Sequence, residues 1–307
     1  MYTPFFAGFH RVLFGRPARP VQQIIQDQME ILRRASLCQL AKIFEAWIPP
    51  EQLASAPQQR RRRFPTAVTF WAFLSQTLDP TSPCRETLRK IQSWCAAHKQ
   101  IIPDTNTGGY CKARQRLDAQ KLRNLHRHTA QRLQQRVGAH QLWQGRRVKI
   151  VDGTGVSMPD TPANQKAFPQ PSAQKPGCGF PVAKIVGCFC LASGALIDWV
   201  EEVLTKHECA LLPRLWNLFE KGDVLLTDRG FCSYAVVATL WSRGVDSVMR
   251  LHQMRRSDFR QGKRIGKNER WVTWEKPKQP RRGTPSAEWE LLPESISLRY
   301  VKIVITI

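Results

Sequence analysis

The sequence predicts a mixed α/β domain preceded by a helical region, and three observations carry that reading. Up to about residue 145 the apolar residues recur at three- and four-residue intervals, the period of an amphipathic helix. Beyond Gly145 short β-branched runs alternate with turn residues and helical stretches, the mark of strands interleaved with helices. Charge divides at the same place. Residues 1–150 carry 25 Lys+Arg against 8 Asp+Glu, whereas residues 151–307 carry 22 against 16.

The helical region opens with Val21–Trp47, where Ile24, Ile25, Leu32, Leu40, Ile43 and Trp47 form one stripe, stopped by Pro49-Pro50. The run Arg60, Arg61, Arg62, Arg63 precedes Phe64-Pro65 and an apolar helix over Ala67–Leu78. Ser82-Pro83 predicts a helix start, serine as N-cap and proline at the first helical position. Leu88, Ile91 and Cys95 share its inner face. A loop with Pro103, Gly108 and Gly109 leads to a helix from about Tyr110. Asp118 suits the cap of the last helix, whose inner stripe is Leu122, Leu125, Thr129 and Leu133.

Arg147–Val151 then predicts a strand that ends in a turn at Asp152-Gly153-Thr154. Residues 159–181, rich in Pro, Gly, Gln and Lys, read as a loop, and Val182–Val203 as a hairpin about Ser193-Gly194. Lys206–Lys221 predicts a helix, and Asp223–Thr227 a buried strand ending at Asp228-Arg229-Gly230. A helix over Ser233–Arg243 and a strand over Asp246–Leu251 follow. From Arg255 the chain is basic and Trp-spotted (Trp271, Trp274, Trp289), and Ile303–Ile307 reads as a strand in which the sequence stops.

Composition excludes several function classes. No uncharged run approaches the ~20 apolar residues of a membrane helix, and no secretory signal stands at the N-terminus. Nine scattered cysteines suit a reduced, cytoplasmic protein better than a disulfide scaffold. Cys95-x(2)-His98 and Cys188-x-Cys190 lack a second ligand pair for zinc, and no phosphate-binding glycine loop is present. A net charge of +23, concentrated in the first half, points to a polyanion, above all nucleic acid.

Two aspartates carry the chemistry. Asp152 and Asp228 each close a predicted buried strand, where ligands meet open α/β sheets. Paired carboxylates there suit hard divalent cations such as Mg²⁺ or Mn²⁺. Asp-Gly is also ordinary turn chemistry, so the spacing alone leaves both readings open.

Val148-Lys149-Ile150-Val151-Asp152-Gly153-Thr154, the loop through Phe168-Pro169, and Leu225-Leu226-Thr227-Asp228-Arg229-Gly230-Phe231 resemble a DDE transposase of the insertion-sequence family 4. Gly109–Leu117 is similar to that group's segment upstream of the core. The resemblance implies a ribonuclease-H-like catalytic core over residues 146–254, after a basic DNA-binding region at 1–145 and before the start of a β-rich insertion at 255–307. It implies two divalent ions on the first and second catalytic aspartates, matched by Asp152 and Asp228. It also implies double-stranded DNA (transposon ends and target) as partner and a homodimer in the complete protein. Arg229 beside the metal site, Lys112, Arg114 and Arg116 on a helix with Tyr110, and Arg60–Arg63 are the DNA-contact candidates. The family's third ligand, a glutamate in a Tyr-x(2)-Arg-x(3)-Glu-x(6)-Lys helix, has no counterpart in these 307 residues. The expectation is a C-terminally truncated transposase. Its rivals are a catalytically dead DNA-binding fragment that occupies or inhibits at transposon ends, and a nuclease of the same fold.

Overall fold

In the computed structural model, which describes residues 21–53, 63–79, 81–252, 255, 258–279 and 286–304, the helical periodicity of the first half resolves into seven described helices. They are α1 (Val21–Arg34), α2 (Leu37–Phe44), α3 (Pro50–Leu53), α4 (Thr66–Leu78), α5 (Cys84–Ala97), α6 (Gly108–Gln115) and α7 (Ala119–Gln135). They lie in the first of two units, Met1–Gln135, which is followed by Arg136–Ile307. Leu40, Ala72, Leu88, Ile91 and Tyr110 sit at the centre of the helical unit. No helix among the described residues is long and apolar enough to cross a membrane.

The single helix expected over Val21–Trp47 is two helices. Ser36 caps the second: its hydroxyl accepts from Gln39 N at 3.3 Å, and the Gln39 side chain accepts from Ser36 N at 2.8 Å. Lys90 of α5 satisfies carbonyls left open at the break. Its Nζ donates to Arg33 O at 2.8 Å and Ala35 O at 3.2 Å, and to Ser75 Oγ of α4 at 2.8 Å. Ser82 is not the cap of α5. Pro83 occupies that position in extended conformation, so the first helical residue is Cys84. Asp118 caps α7, its Oδ1 accepting from Gln120 N and Lys121 N at 2.8 and 3.2 Å.

The second unit contains β1 (Val148–Ser157), α8 (Pro162–Ala167), β2 (Val182–Cys190), β3 (Leu196–Val203), α9 (Glu208–Leu211), β4 (Val224–Thr227), α10 (Tyr234–Ser242) and β5 (Asp246–Met249). Then come β6 (Lys263–Gly266), β7 (Glu269–Glu275), α11 (Ser286–Glu290) and β8 (Ser295–Val301). Five strands form a mixed sheet in the order β3-β2-β1-β4-β5. The pairs β1–β2 and β2–β3 are antiparallel, while β1–β4 and β4–β5 are parallel. The β2–β3 hairpin turns where expected, with Gly194 at φ +69°. α9 passes directly into a 3-10 turn over Leu212–Leu218, so the helix expected over Lys206–Lys221 is short. Pro213 is the cause, because its ring and missing N–H interrupt the i→i−4 ladder. Part of the 159–181 loop is helical (α8), capped by Thr161 accepting from Asn164 N at 3.2 Å.

Val151, Val186, Cys188, Val200 and Leu225 of the sheet pack with Leu212, Leu215, Val236 and Leu240. The strands β6-β7-β8 make a separate antiparallel sheet. Its Trp274 and Ile296, with Trp289 and Leu292, pack on Tyr234, Val237 and Ala238 of α10. Two of the three tryptophans in this stretch are therefore core, while Trp271 is 46% exposed. The terminal strand is β8, fully paired with β7 from Ser295 to Val301. Residues 302–304 lie outside any strand, and 305–307 lie outside the described residues.

At the start of the sheet, Lys149 of β1 and Asp223 before β4 form a buried ion pair at 2.5 Å, each side chain 6% exposed. Lys149 Nζ also donates to Leu218 O, and Asp223 Oδ2 accepts from Glu220 N at 2.9 Å. Arg146 ties the same end together, donating to Gly222 O, Asp223 O and Asp246 Oδ2 at 2.7, 3.1 and 2.6 Å. Lys149→Met leaves the Asp223 carboxylate buried without its cation, and the expected loss is ~3–5 kcal/mol in urea unfolding. Lys149→Met combined with Asp223→Leu should recover most of that loss. If the double variant is no more stable than the single one, the pair is not the source of the cost.

Candidate active site

The site is built by the register of two parallel strands. β1 and β4 pair from Val148–Val224 to Val151–Thr227. Thr227 Oγ1 donates to Val151 O at 2.8 Å and locks the last pair. One residue further along lie Asp152 and Asp228. Two residues separated by 76 positions in sequence thus emerge from adjacent strand positions, and both are exposed.

Their surroundings differ from the sequence expectation. Asp152-Gly153-Thr154 is not a turn: β1 continues to Ser157, paired only with β2, from Asp152–Gly187 to Ser157–Val182. It is β4 that ends, because Asp228 leaves the sheet as N-cap of a 3-10 turn over Arg229–Phe231. Asp228 Oδ1 accepts from Gly230 N at 2.9 Å, and Asp152 Oδ1 accepts from Gly153 N at 2.8 Å. Each carboxylate is oriented through one oxygen. No donor among the described residues reaches the other oxygen of either aspartate. Phe231, fully buried, pins the turn into the core. Arg229 is exposed and forms no ion pair among the described residues.

Sequence reasoning missed a third carboxylate, Glu208, at the start of α9. A Cβ on Gly153 would lie 2.6 Å from Glu208 Oε1, so this acid rests against the strand residue next to Asp152. Its neighbours fasten it there. His207 Nδ1 accepts from Cys209 N at 3.3 Å, and Cys209 Sγ donates to Gly230 O at 2.8 Å. Segment 207–209 therefore spans from β1 to the Asp228 turn. The available signal was the glycine immediately after Asp152, a residue that permits close approach. Among the described residues no group of three or more His, Cys, Asp or Glu side chains is gathered as a metal site.

The basic candidates of the helical unit separate into two kinds. Lys112, Arg116 and Arg63 are exposed, while Arg60, Arg61 and Arg62 lie outside the described residues. Arg114 turns inward, its Nη1 donating to Gln76 Oε1 at 3.0 Å, near the rings of Phe73 and Tyr110. Tyr110 is completely buried and also donates to Gln76 Oε1, at 2.9 Å, so it cannot contact DNA as the helix pattern suggested. Burial pushes its phenol up to about 12. The Cys188 thiol is likewise pushed up by burial to about 12, an inert core thiol rather than a metal ligand.

Residues 143–295 match the family described as Transposase DDE domain. The chain is 23% identical over 227 residues to "Transposase InsG for insertion sequence element IS4" of Escherichia coli (strain K12), covering 74% of this chain and 50% of the relative. It spans about half the length of that curated relative. Among solved structures, a piggyBac transposase synaptic complex with hairpin DNA is 9% identical, at a TM-score of 0.35, over 80% of this chain and 55% of that one. A Mos1 transposase paired-end complex is 10% identical, at a TM-score of 0.22, over 77% and 69%.

Two outcomes follow from the geometry. Gly153→Ala is accommodated by rotation of the flexible Glu208 side chain, so stability should fall by less than about 1 kcal/mol. Glu208→Ala should erase that cost in the double variant. A larger loss that survives Glu208→Ala would show that the strand backbone, not the glutamate, opposes a side chain at 153. The second outcome concerns pH. A phenol with pKa 10 unfolded and about 12 folded contributes its full stability below pH 10 and loses it as pH rises to 12. Tyr110→Phe should therefore flatten the decline in stability over that window. Identical declines in the two proteins would contradict the assignment.

Proposed function

Because the chain belongs to the DDE transposases of the insertion-sequence-4 type, we propose that it binds the ends of a mobile DNA element and cuts their phosphodiester bonds. The observation that carries this reading is the Val151–Thr227 register, which sets Asp152 and Asp228 side by side at the end of β4. The order β3-β2-β1-β4-β5, antiparallel then parallel, supports a ribonuclease-H-like sheet for residues 146–254. Residues 1–145 supply the DNA-binding region and 255–307 the start of a β-rich insertion.

The donor set fits a hard divalent cation: two exposed carboxylates, each oriented through one oxygen, with no competing ammonium or guanidinium partner among the described residues. Asp152 and Asp228 would hold Mg²⁺ or Mn²⁺. Such ions, when bound, lower the pKa of water and stabilise charge on a leaving oxygen. The chain's own groups do the rest. Arg229, one residue from Asp228, meets the charge of the scissile phosphate. Arg63, Lys112 and Arg116 neutralise backbone phosphates and hold the duplex in place. Two copies pairing two ends complete the proposal.

A second reading, occupation of DNA ends without cutting, is favoured by one observation. Among the described residues Asp152 and Asp228 are not joined by a third side chain in a metal-holding group. One experiment separates the two. The chain is titrated with labelled element-end duplex at several salt concentrations, then incubated with Mg²⁺ or Mn²⁺ alongside Asp152→Ala and Asp228→Ala. Each phosphate neutralised should steepen the salt slope by ~0.9. Metal-dependent cleavage lost in both variants supports the cutting reading; salt-dependent binding without cleavage supports the second. Affinity indifferent to salt would defeat both.

A further inference from the structure

Two thiols of the helical unit meet where α5 begins: Cys84, its first residue, and Cys111 of α6. The Cys111 thiol donates to Cys84 Sγ, which also accepts from Gln76 Nε2 at 3.5 Å. Gln76 is held to that task, because its Oε1 accepts from Tyr110 and Arg114 and so turns the amide NH₂ toward the sulfur. Cys84 also stands at the N-terminal end of a 14-residue helix, whose free N–H groups favour an anion. Hydrogen bonding from Gln76, with help from Cys111 and the Arg114 charge, holds the Cys84 thiol below its ordinary range against the pull of burial. Burial, and then the nearby Cys84 charge, pushes Cys111 up. Elsewhere burial pushes Cys95, Cys188 and Cys232 up as well. Both members of the pair are half-buried, which leaves them open to small molecules.

We infer that Cys84 and Cys111 form a modification site for two-electron oxidants of the peroxide class, closing reversibly to a disulfide between α5 and α6. With hydrogen peroxide the Cys84 thiolate attacks one oxygen. An S–O bond forms as the O–O bond breaks, and the leaving hydroxide takes the Cys111 proton. The Cys111 thiolate then attacks Cys84 Sγ, forming the S–S bond and expelling hydroxide, which solvent protonates. Each sulfur gives up one electron, and the peroxide is reduced to two waters. A thiol reductant reverses the closure by exchange. Lys112 follows Cys111 directly and Arg116 stands at the C-terminal end of α6, both exposed. Drawing the sulfurs from hydrogen-bond contact into a covalent bond shifts α6 and takes these cations out of register with duplex phosphates. That consequence rests on the proposed DNA binding; the dithiol site does not.

The test treats the reduced 307-residue chain with hydrogen peroxide and follows each cysteine by alkylation and peptide mass spectrometry. Cys84 should be lost about ten-fold faster than the exposed Cys178, and a Cys84–Cys111-linked peptide should appear that dithiothreitol removes. Cys111→Ser should stop at a sulfenic acid on Cys84, captured by dimedone. Affinity for a labelled blunt duplex should fall about ten-fold on oxidation and return with dithiothreitol, while Cys84→Ser keeps its affinity through the same treatment. Loss of Cys84 no faster than of Cys178, or loss without the linked peptide, overturns the dithiol site. A linked peptide with unchanged duplex affinity overturns the coupling to α6. Absence of duplex binding in both redox states defeats the DNA-binding reading, and the labelling still judges the dithiol by itself. If either serine variant does not fold, as judged by circular dichroism, the relative rates and the linked peptide in the unsubstituted chain decide.

Discussion

Two charges with almost no access to solvent set the positions of everything at the mouth of the sheet. Lys149 and Asp223 are anchored by further bonds to Leu218 O and Glu220 N, so neither can relax toward water without breaking several contacts. Burying such a pair contributes little net stability, but separating it is expensive. Its value here is alignment. A slip of β1 by one residue would turn Lys149 to the opposite face and strand Asp223 in the core. Because Asp152 follows Lys149 by three residues and Asp228 follows Asp223 by five, the same penalty governs where both aspartates emerge. Arg146, bonded across β4 and β5, extends the constraint to the neighbouring strand.

Charge in the helical unit serves two purposes that composition cannot separate. Lys90 closes the gap between α1 and α2, and its burial lowers its pKa. Arg114 holds Gln76 together with Tyr110. These cations build the unit. Lys112 and Arg116, from the same short stretch as Arg114, remain in solvent. A helical turn thus separates a structural guanidinium from its exposed neighbours, a distinction set by which face meets α4.

Much of this arrangement was legible in the residues. Periodicity located the helices, β-branched runs located the strands, and the sequence pattern singled out Asp152 and Asp228. Other features depend on contacts that a linear pattern does not contain. The break at Ser36 needed a reciprocal cap with Gln39, and its closure needed Lys90 from 54 residues away. Glu208 came to β1 through packing of α9, whose shortness follows from a single proline. The expected turn at Asp152 failed because pairing with β2 overrode the turn preference of Asp-Gly. Tyr110 read as a surface aromatic because its neighbours are basic, yet the core needed its ring.

β1's extension beyond β4 makes the two flanks of the aspartate pair unlike. From Asp152 to Ser157 the strand is the edge of a three-stranded antiparallel section, paired on one flank with β2, which pairs in turn with β3. That section continues on the β2 side, while the β4 side stops at the 3-10 turn over Arg229–Phe231. An extended polymer crossing the aspartate pair would therefore have two distinguishable directions. It would meet the two aspartates in a fixed order along its length.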